Sequence, residues 1–165
     1  MRLRRARTDD LAFIVAQEAR PEFRHLIGSW DAATHANNLR HANIEYWIVE
    51  GAPGRSTGFV ILSGLQSPHR AIELTRIVIQ EPGRGHGREV CEHVMRYVFD
   101  VLCAHRLSLD VFETNERAAH LYASLGFKRE GLMREAFRRD EGYCSLILMS
   151  LLEAEYRAAR AEVGT

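Results

Sequence analysis

Three glycines alternate over five positions of the segment 81–88, and two arginines are interleaved with them. The segment reads Glu81-Pro82-Gly83-Arg84-Gly85-His86-Gly87-Arg88. It follows the strand-like stretch Ile72–Ile79 and precedes a segment with helical spacing. A glycine-rich loop between a strand and a helix holds phosphates, because backbone N–H groups converge there and the helix dipole attracts anions. The sequence therefore predicts a phosphorylated ligand.

Two common phosphate-binding motifs do not fit this loop. A nucleoside triphosphate loop has the form G-x-x-x-x-G-K-[ST], and the segment has neither the lysine nor the hydroxyl residue. A dinucleotide loop has the form G-x-G-x-x-G, whereas single residues separate Gly83, Gly85 and Gly87. The spacing therefore argues against both classes of nucleotide-binding protein.

The composition excludes further classes. Lysine plus arginine and aspartate plus glutamate both number 22, so the formal net charge is zero and the chain lacks the basic character of a nucleic-acid-binding protein. No apolar run is long enough to span a bilayer. The three cysteines form no C-x-x-C pair, which is typical of reduced thiols. We expect a cytoplasmic protein with neither a nucleic-acid nor a membrane partner.

The elements that must position the loop follow from the apolar spacing. The patterns predict an edge strand over 1–7, helices from Thr8 to Pro21 and over 31–40, strands over 46–49, 58–62 and 72–79, a long helix over 90–102, a strand over 107–112, a helix over 115–125, strands over 127–132 and 144–152, and a terminal helix over 153–160. This order predicts an α/β (α+β) fold with a mixed sheet of six to seven strands and about four flanking helices. With 165 residues, we expect a single domain over 1–165, with a core over 1–152 and a tail over 153–165.

Two motifs in this order resemble the GNAT superfamily of N-acetyltransferases. The segment 82–87 resembles that family's acyl-CoA pyrophosphate loop, and the segment 115–127, NERAAHLYASLGF, resembles its N-x-x-A-x-x-L-Y-x-x-x-G-F motif. Residues 107–131 resemble the branch that includes ribosomal-protein N-terminal acetyltransferases. One position departs from the family, because Pro82 stands where it usually has Gln or Arg.

The resemblance implies a single GNAT-like domain with a binding site for acetyl-CoA and no metal. The pyrophosphate would lie on the loop and the start of the following helix, on Gly83, Arg84, Gly85, His86, Gly87 and Arg88. The main chain of Ile77, Val78 and Ile79 would pair with the pantetheine arm, and the amide of Val78 would polarise the thioester carbonyl. Asn115 and Ala118 would complete the cofactor site at the start of the next helix.

Tyr122 is the predicted catalytic acid, because the resemblance points its hydroxyl at the cofactor sulfur, where it would protonate the departing thiolate. Glu73 is the candidate general base, since it lies in the strand that leads into the site; Glu81 and Glu113 are the reserves, and a water relay is the alternative. Asp110 interrupts an apolar strand and is either structural or on the substrate side.

The predicted function is transfer of an acetyl group from acetyl-CoA to a primary amine, either a protein N-terminus or a small-molecule amine. No motif positions a nucleophilic cysteine, so we expect direct attack in a ternary complex. The alternative is a non-catalytic acyl-CoA-binding sensor or scaffold module. Residues 18–43 and 137–143 would set the acceptor, and the final strands offer a surface for a homodimer.

Overall fold

Among the residues that the structure describes, seven strands form one mixed sheet in the order β1-β2-β3-β4-β5-β7-β6. The computed structural model describes residues 1–52, 54–80, 85–140 and 142–163. The strands are β1 (Arg2–Arg5), β2 (Ile44–Ala52), β3 (Arg55–Ser63), β4 (Ala71–Ile79), β5 (Arg106–Phe112), β6 (Lys128–Arg139) and β7 (Gly142–Leu152). Neighbouring strands are antiparallel except for the parallel pair β4 and β5. The predicted mixed sheet and α/β class are confirmed.

Six α-helices in the described part of the chain cover the sheet. They are α1 (Leu11–Glu18), α2 (Pro21–Arg24), α3 (Ala32–Asn38), α4 (His86–Arg96), α5 (Glu116–Ser124) and α6 (Glu153–Val163). A short 3-10 turn at Thr8–Asp10 leads into α1, and α4 runs on into a wider turn at Tyr97–Val101. Pro21 both follows α1 and opens α2, where its missing N–H costs nothing.

The two faces of the sheet carry separate apolar clusters. Helices α1 to α3 cover one face, where Ile14 of α1 belongs to the same buried cluster as Phe59 and Val78. Helices α4 to α6 cover the other face, and Phe99 stacks on Tyr156 of α6 with ring centroids 4.7 Å apart. Fully burying one such large apolar side chain stabilises a fold by about 1.5–3 kcal/mol. The terminal helix is therefore docked on the same core as α4 and α5.

A β-bulge in β4 changes which side chains face which helices. Ile61 of β3 pairs with Arg76, but the next residue, Leu62, pairs with Leu74, so Thr75 is an extra residue. Leu74 packs in the cluster under α4, whereas Val78 packs in the cluster under α1. A regular strand would have kept positions 74, 76 and 78 on one face. The bulge thus directs Arg76 away from the apolar core beneath α4 and toward α1.

Strands β4 and β5 separate soon after they meet. They pair only at Ala71↔Arg106, Ile72↔Leu107 and Glu73↔Ser108. Beyond that point β4 pairs with β3 up to Ile79, and β5 pairs with β7 up to Phe112. The inner edges of the two strands are therefore left open toward each other. This opening positions the site.

Candidate active site

A cleft of about 510 Å³ occupies the opening between β4 and β5. Its walls are the two strands, the N-terminal end of α4, helix α5, and the segment that contains α2. The predicted site residues that line it are Ile77, Val78, Ile79, Gly85, Gly87, Arg88, Asn115, Ala118 and Tyr122. His86 lies in the first turn of α4 but not in the wall, and Glu73 lies beside the cleft rather than in its lining. Gly83 and Arg84 fall outside the described residues.

The N-terminus of α4 has the form of an anion site. Gly85 is its N-cap residue with φ of +78°, a conformation that favours glycine. Glu89 N–H bonds back to Gly85 O at 3.2 Å, while the amides of residues 86–88 have no backbone partner among the described residues. A Cβ on Gly85 would meet no atom within 4 Å, so the space beside it is open. The first-turn amides, the helix dipole and the open space together suit a pyrophosphate.

The hydrogen-bond directions along β4 show which amides face the cleft. Gln80 N–H donates to Thr57 O of β3 at 2.8 Å, and the register from Gly58 to Ile61 is regular. Because the directions alternate in an antiparallel ladder, Val78 also bonds to β3, whereas Ile77 and Ile79 turn their amides to the open side. The amide of Val78, the predicted donor to the thioester carbonyl, therefore points toward β3, and the amides that point toward the cleft are those of Ile77 and Ile79.

The start of α5 forms the opposite wall of the cleft. Asn115 is the N-cap residue, and its side chain accepts a hydrogen bond from Ala118 N–H at 3.2 Å. Asn115 also lines the cleft. Asn115 therefore holds the helix start in place while it remains within reach of a ligand.

Tyr122 lies deep in the cleft, with 6% of its surface exposed. Burial raises the pKa of its hydroxyl well above the usual value, and the nearby Cys91 and Asp110 add to the shift. The hydroxyl forms no hydrogen bond with any residue that the structure describes. A neutral phenol without a protein partner can donate to a ligand atom.

Cys91 lies in the cleft wall near Tyr122 but is not prepared as a nucleophile. Burial raises the pKa of its thiol to about 12, so the reactive thiolate is not formed near neutral pH. All three cysteines are free thiols. The site thus offers no activated sulfur for an acyl-enzyme.

Two carboxyl groups lie at the far side of the cleft from α4. Asp110 of β5 lines the cleft, and Glu73 of β4 lies close enough that the charge of Asp110 raises its pKa, after the larger effect of burial. Burial also raises the pKa of Asp110, although Arg76 opposes this. Both groups remain in contact with solvent. This half of the cleft can therefore attract a cation and accept a proton.

Sequence reasoning missed a buried polar network behind these carboxyl groups. Arg76 Nη1 donates to Glu18 Oε1 at 2.5 Å, and His35 Nε2 lies 3.2 Å from Glu18 Oε2. His35 Nδ1 in turn lies 3.0 Å from the hydroxyl of Tyr46. The charged Arg76 next to the apolar run Ile77–Ile79 was the one local signal, because the partners of Arg76 are distant in the chain.

The structure offers no support for other kinds of site within the described ranges. No group of three or more His, Cys, Asp or Glu side chains there could hold a metal ion. No helix among those residues is long and apolar enough to cross a membrane.

Fold and cleft together define a transferase that uses an acyl-CoA donor. The family model for the acetyltransferase (GNAT) domain matches residues 1–128, so the chain belongs to the GNAT acetyltransferase family. It is an acetyl-CoA-dependent N-acetyltransferase, as the sequence predicted.

Known relatives agree in sequence and in structure. The chain is 32% identical over 122 residues to a spermidine N(1)-acetyltransferase of Vibrio cholerae, covering 73% of this chain and 70% of the relative. It is 31% identical over 125 residues to the spermidine N(1)-acetyltransferase of Escherichia coli K12, covering 75% of this chain and 67% of the relative. A crystal structure of the Vibrio cholerae spermidine N-acetyltransferase in complex with CoA and spermine superposes with a TM-score of 0.83 at 25% identity, over 94% of this chain and 96% of that one.

Proposed function

We propose that this N-acetyltransferase acetylates a small cationic aliphatic amine by direct attack in the cleft between β4 and β5. The observation that carries the proposal is the arrangement of Tyr122 and Asp110, which line the same cleft and lie close enough that the charge of Asp110 raises the pKa of Tyr122. Tyr122 is a neutral proton donor, and Asp110 is a carboxyl group that can bind an ammonium ion. The relatives that acetylate spermidine support this acceptor class.

The donor would lie along the wall formed by β4 and the start of α4. Its pyrophosphate would accept hydrogen bonds from the first-turn amides of His86, Gly87 and Arg88, which need no side chain. Its pantetheine arm would pair with the open edge of β4, as an added strand does. An amide of Ile77 or Ile79 would donate to the thioester oxygen as negative charge develops there.

The reaction would proceed in one transfer. The amine nitrogen attacks the thioester carbon, a C–N bond forms, and the C–S bond breaks. Tyr122 donates its proton to the departing thiolate. Glu73 takes the proton of the amine, and it does so through a water molecule because its side chain does not line the cleft.

A protein N-terminus is the second acceptor that the sequence left open. The segment 22–28 and Phe112 line the acceptor half of the cleft, which favours a small molecule over a chain end.

We also propose that residues 1–165 form one domain and that the enzyme works in the cytoplasm, which suits its three free thiols. A Vibrio cholerae relative has a dodecameric structure, which does not single out a dimer, so the homodimer stays a prediction.

A panel of amines tests this proposal. Purified protein is incubated with acetyl-CoA and, separately, with spermidine, spermine, a neutral aromatic amine and a peptide with a free N-terminus. We expect thiol release and a matching acetylated product with the cationic aliphatic amines, and at least tenfold lower kcat/KM with the others. Preferential acetylation of the peptide would contradict the proposed acceptor, and acetyl-CoA binding without turnover on any amine would indicate a sensor instead.

A further inference from the structure

Arg76 lies in the acceptor half of the cleft and is held in one direction. Its Nη1 donates to Glu18 at 2.5 Å, and its guanidinium carbon lies 4.3 Å from the centre of the Trp30 ring. Gly28 packs close to the guanidinium, since a Cβ on Gly28 would lie 3.0 Å from Arg76 Nη2. The side chain is buried, with 8% of the residue exposed. These contacts hold the positive charge of Arg76 against Glu18.

Glu18 is fixed in turn by donors from two further segments. Its Oε2 accepts a hydrogen bond from Trp30 N–H at 2.9 Å and lies 3.2 Å from His35 Nε2. Only 2% of Glu18 is exposed. The carboxylate therefore has a single position, and in that position it neutralises Arg76.

Asp110 is the second carboxyl group that faces Arg76, and it is unpaired. It lines the cleft with Arg76 and Tyr122, and it forms no hydrogen bond or ion pair with any of the residues described. Three charged or titratable groups interact electrostatically with Asp110. They are Glu73 and Arg76 of β4 and Tyr122 of α5. Arg76 is the one cation in this group.

We propose that Glu18 sets the acceptor preference of this enzyme: by neutralising Arg76, it leaves the carboxylate of Asp110 free to bind the ammonium group of a cationic acceptor. This inference rests on the proposed function, because it assumes an amine beside Asp110. Without the charge of Glu18, Arg76 would be an uncompensated buried cation, and Asp110 would be the next carboxylate within the cleft to pair with it. Glu18 would then be a positioning residue that acts through Arg76.

A charge-removal series tests the inference. Glu18→Gln keeps the shape of the side chain and removes its charge, and the double variant Glu18→Gln/Arg76→Gln removes the competing cation as well. Asp31→Asn is the matched control, because Asp31 caps α3 in the same part of the fold through Thr34 N–H but does not line the cleft. Thermal unfolding and acetyl-CoA affinity are measured for every variant to confirm an intact donor site.

The first measurement is the titration of the Asp110 carboxyl carbon by NMR in the protein alone. We expect the pKa of Asp110 to fall in Glu18→Gln and to rise again in the double variant. The second is the KM for spermidine, which we expect to rise about tenfold in Glu18→Gln with kcat little changed, to recover in the double variant, and to be unchanged in Asp31→Asn. If Glu18→Gln does not fold, Arg76→Gln alone is used, and the pKa of Asp110 should then rise.

Two results would overturn the inference. One is an Asp110 titration that does not move when Glu18 or Arg76 is changed. The other is a KM for spermidine that rises equally in the single and the double variant, as a purely structural role of Glu18 requires. Failure of the proposed function looks different, because the unaltered protein would then acetylate no cationic amine, whatever the titration of Asp110 shows.

Discussion

Arg88 Nη2 in the first turn of α4 donates a hydrogen bond to Ser124 Oγ, the last residue of α5, at 2.5 Å. Ser124 Oγ in turn donates to Leu121 O at 2.7 Å. The two helices that flank the proposed donor site are thus joined at their adjacent ends. Arg88 also lines the cleft, where its guanidinium adds positive charge beside the first-turn amides of α4.

The first prediction concerns this charge. Arg88→Met should raise the dissociation constant of acetyl-CoA about tenfold, since a hydrogen bond to a charged group contributes about 1.5–3 kcal/mol. Ser124→Ala removes the partner and keeps the charge, so its effect should stay within about twofold. Calorimetric titration with acetyl-CoA distinguishes the two variants. Equal losses would mean that Arg88 acts by joining the helices and not by its charge.

The second prediction concerns the left-handed residue at the start of α4. Gly85→Ala forces a side chain into a φ of +78°, which should cost about 1 kcal/mol of stability. Its Cβ would also enter the open space where the pyrophosphate is proposed to lie, so acetyl-CoA affinity should fall at least tenfold.

Gly54→Ala is the matched control for that variant. Gly54 has a φ of +75°, and its Cβ would also meet no atom within 4 Å, but it lies in the turn between β2 and β3, away from the cleft. We expect a similar loss of thermal stability with unchanged acetyl-CoA affinity. Equal losses of acetyl-CoA affinity in both variants would contradict a specific role of Gly85 in binding the pyrophosphate.

The third prediction is a pH dependence of stability. Partial burial raises the pKa of Asp110 in the folded state, so the folded protein binds this proton more tightly than the unfolded chain does. The resulting stability is present below the unfolded pKa of about 3.8 and is lost as the pH rises through the folded pKa. The Tm of Asp110→Asn minus the Tm of the unaltered protein should therefore increase as the pH rises from 3.8 to neutrality.

Calorimetric melting curves across that pH range check the third prediction. We expect a gain of about 1–3 °C at neutral pH, together with weaker acceptor binding. Asp9→Asn serves as the control, because Asp9 is exposed and lies away from the cleft. A Tm difference for Asp110→Asn that stays constant with pH would show that Asp110 is not perturbed in the folded state.

The fourth prediction concerns the thiols. Burial keeps the Cys91 thiol neutral, so a variant with Cys91, Cys103 and Cys144 all replaced by alanine should retain activity within about threefold. Mass spectrometry of the unaltered protein during turnover should detect no acetylated cysteine. Loss of turnover in the triple variant, with acetyl-CoA binding intact, would favour an acyl-enzyme and contradict direct attack.

Much of the fold could be predicted because local signals were strong. The helix over 115–125 follows from the N-cap preference of Asn115 and from Gly126, which has a φ of +96° just after the helix. The two final strands were found, but β6 reaches Arg139 where the prediction ended at Leu132. Its outer half is polar and lies at the edge of the sheet, so it has no apolar alternation to reveal it.

The acceptor half of the site could not be predicted in the same way. Glu18, His35 and Arg76 come together across separations of 17 and 58 residues, which no local pattern indicates. His35 is 0% exposed, and no sequence pattern around it indicated a buried position. The β-bulge at Thr75 was likewise not predicted, although the alternation of apolar and polar residues breaks there, at the consecutive polar residues Thr75 and Arg76.

The most direct test of the proposed catalytic site is the kinetics of Tyr122→Phe. The hydroxyl has no protein partner among the described residues, so its removal should leave folding and acetyl-CoA affinity within about twofold while kcat falls about 100-fold. Tyr97→Phe is the control, because Tyr97 bonds to Glu45 away from the cleft and should keep full turnover. Unchanged kcat with spermidine in Tyr122→Phe would contradict the role of Tyr122 as the acid.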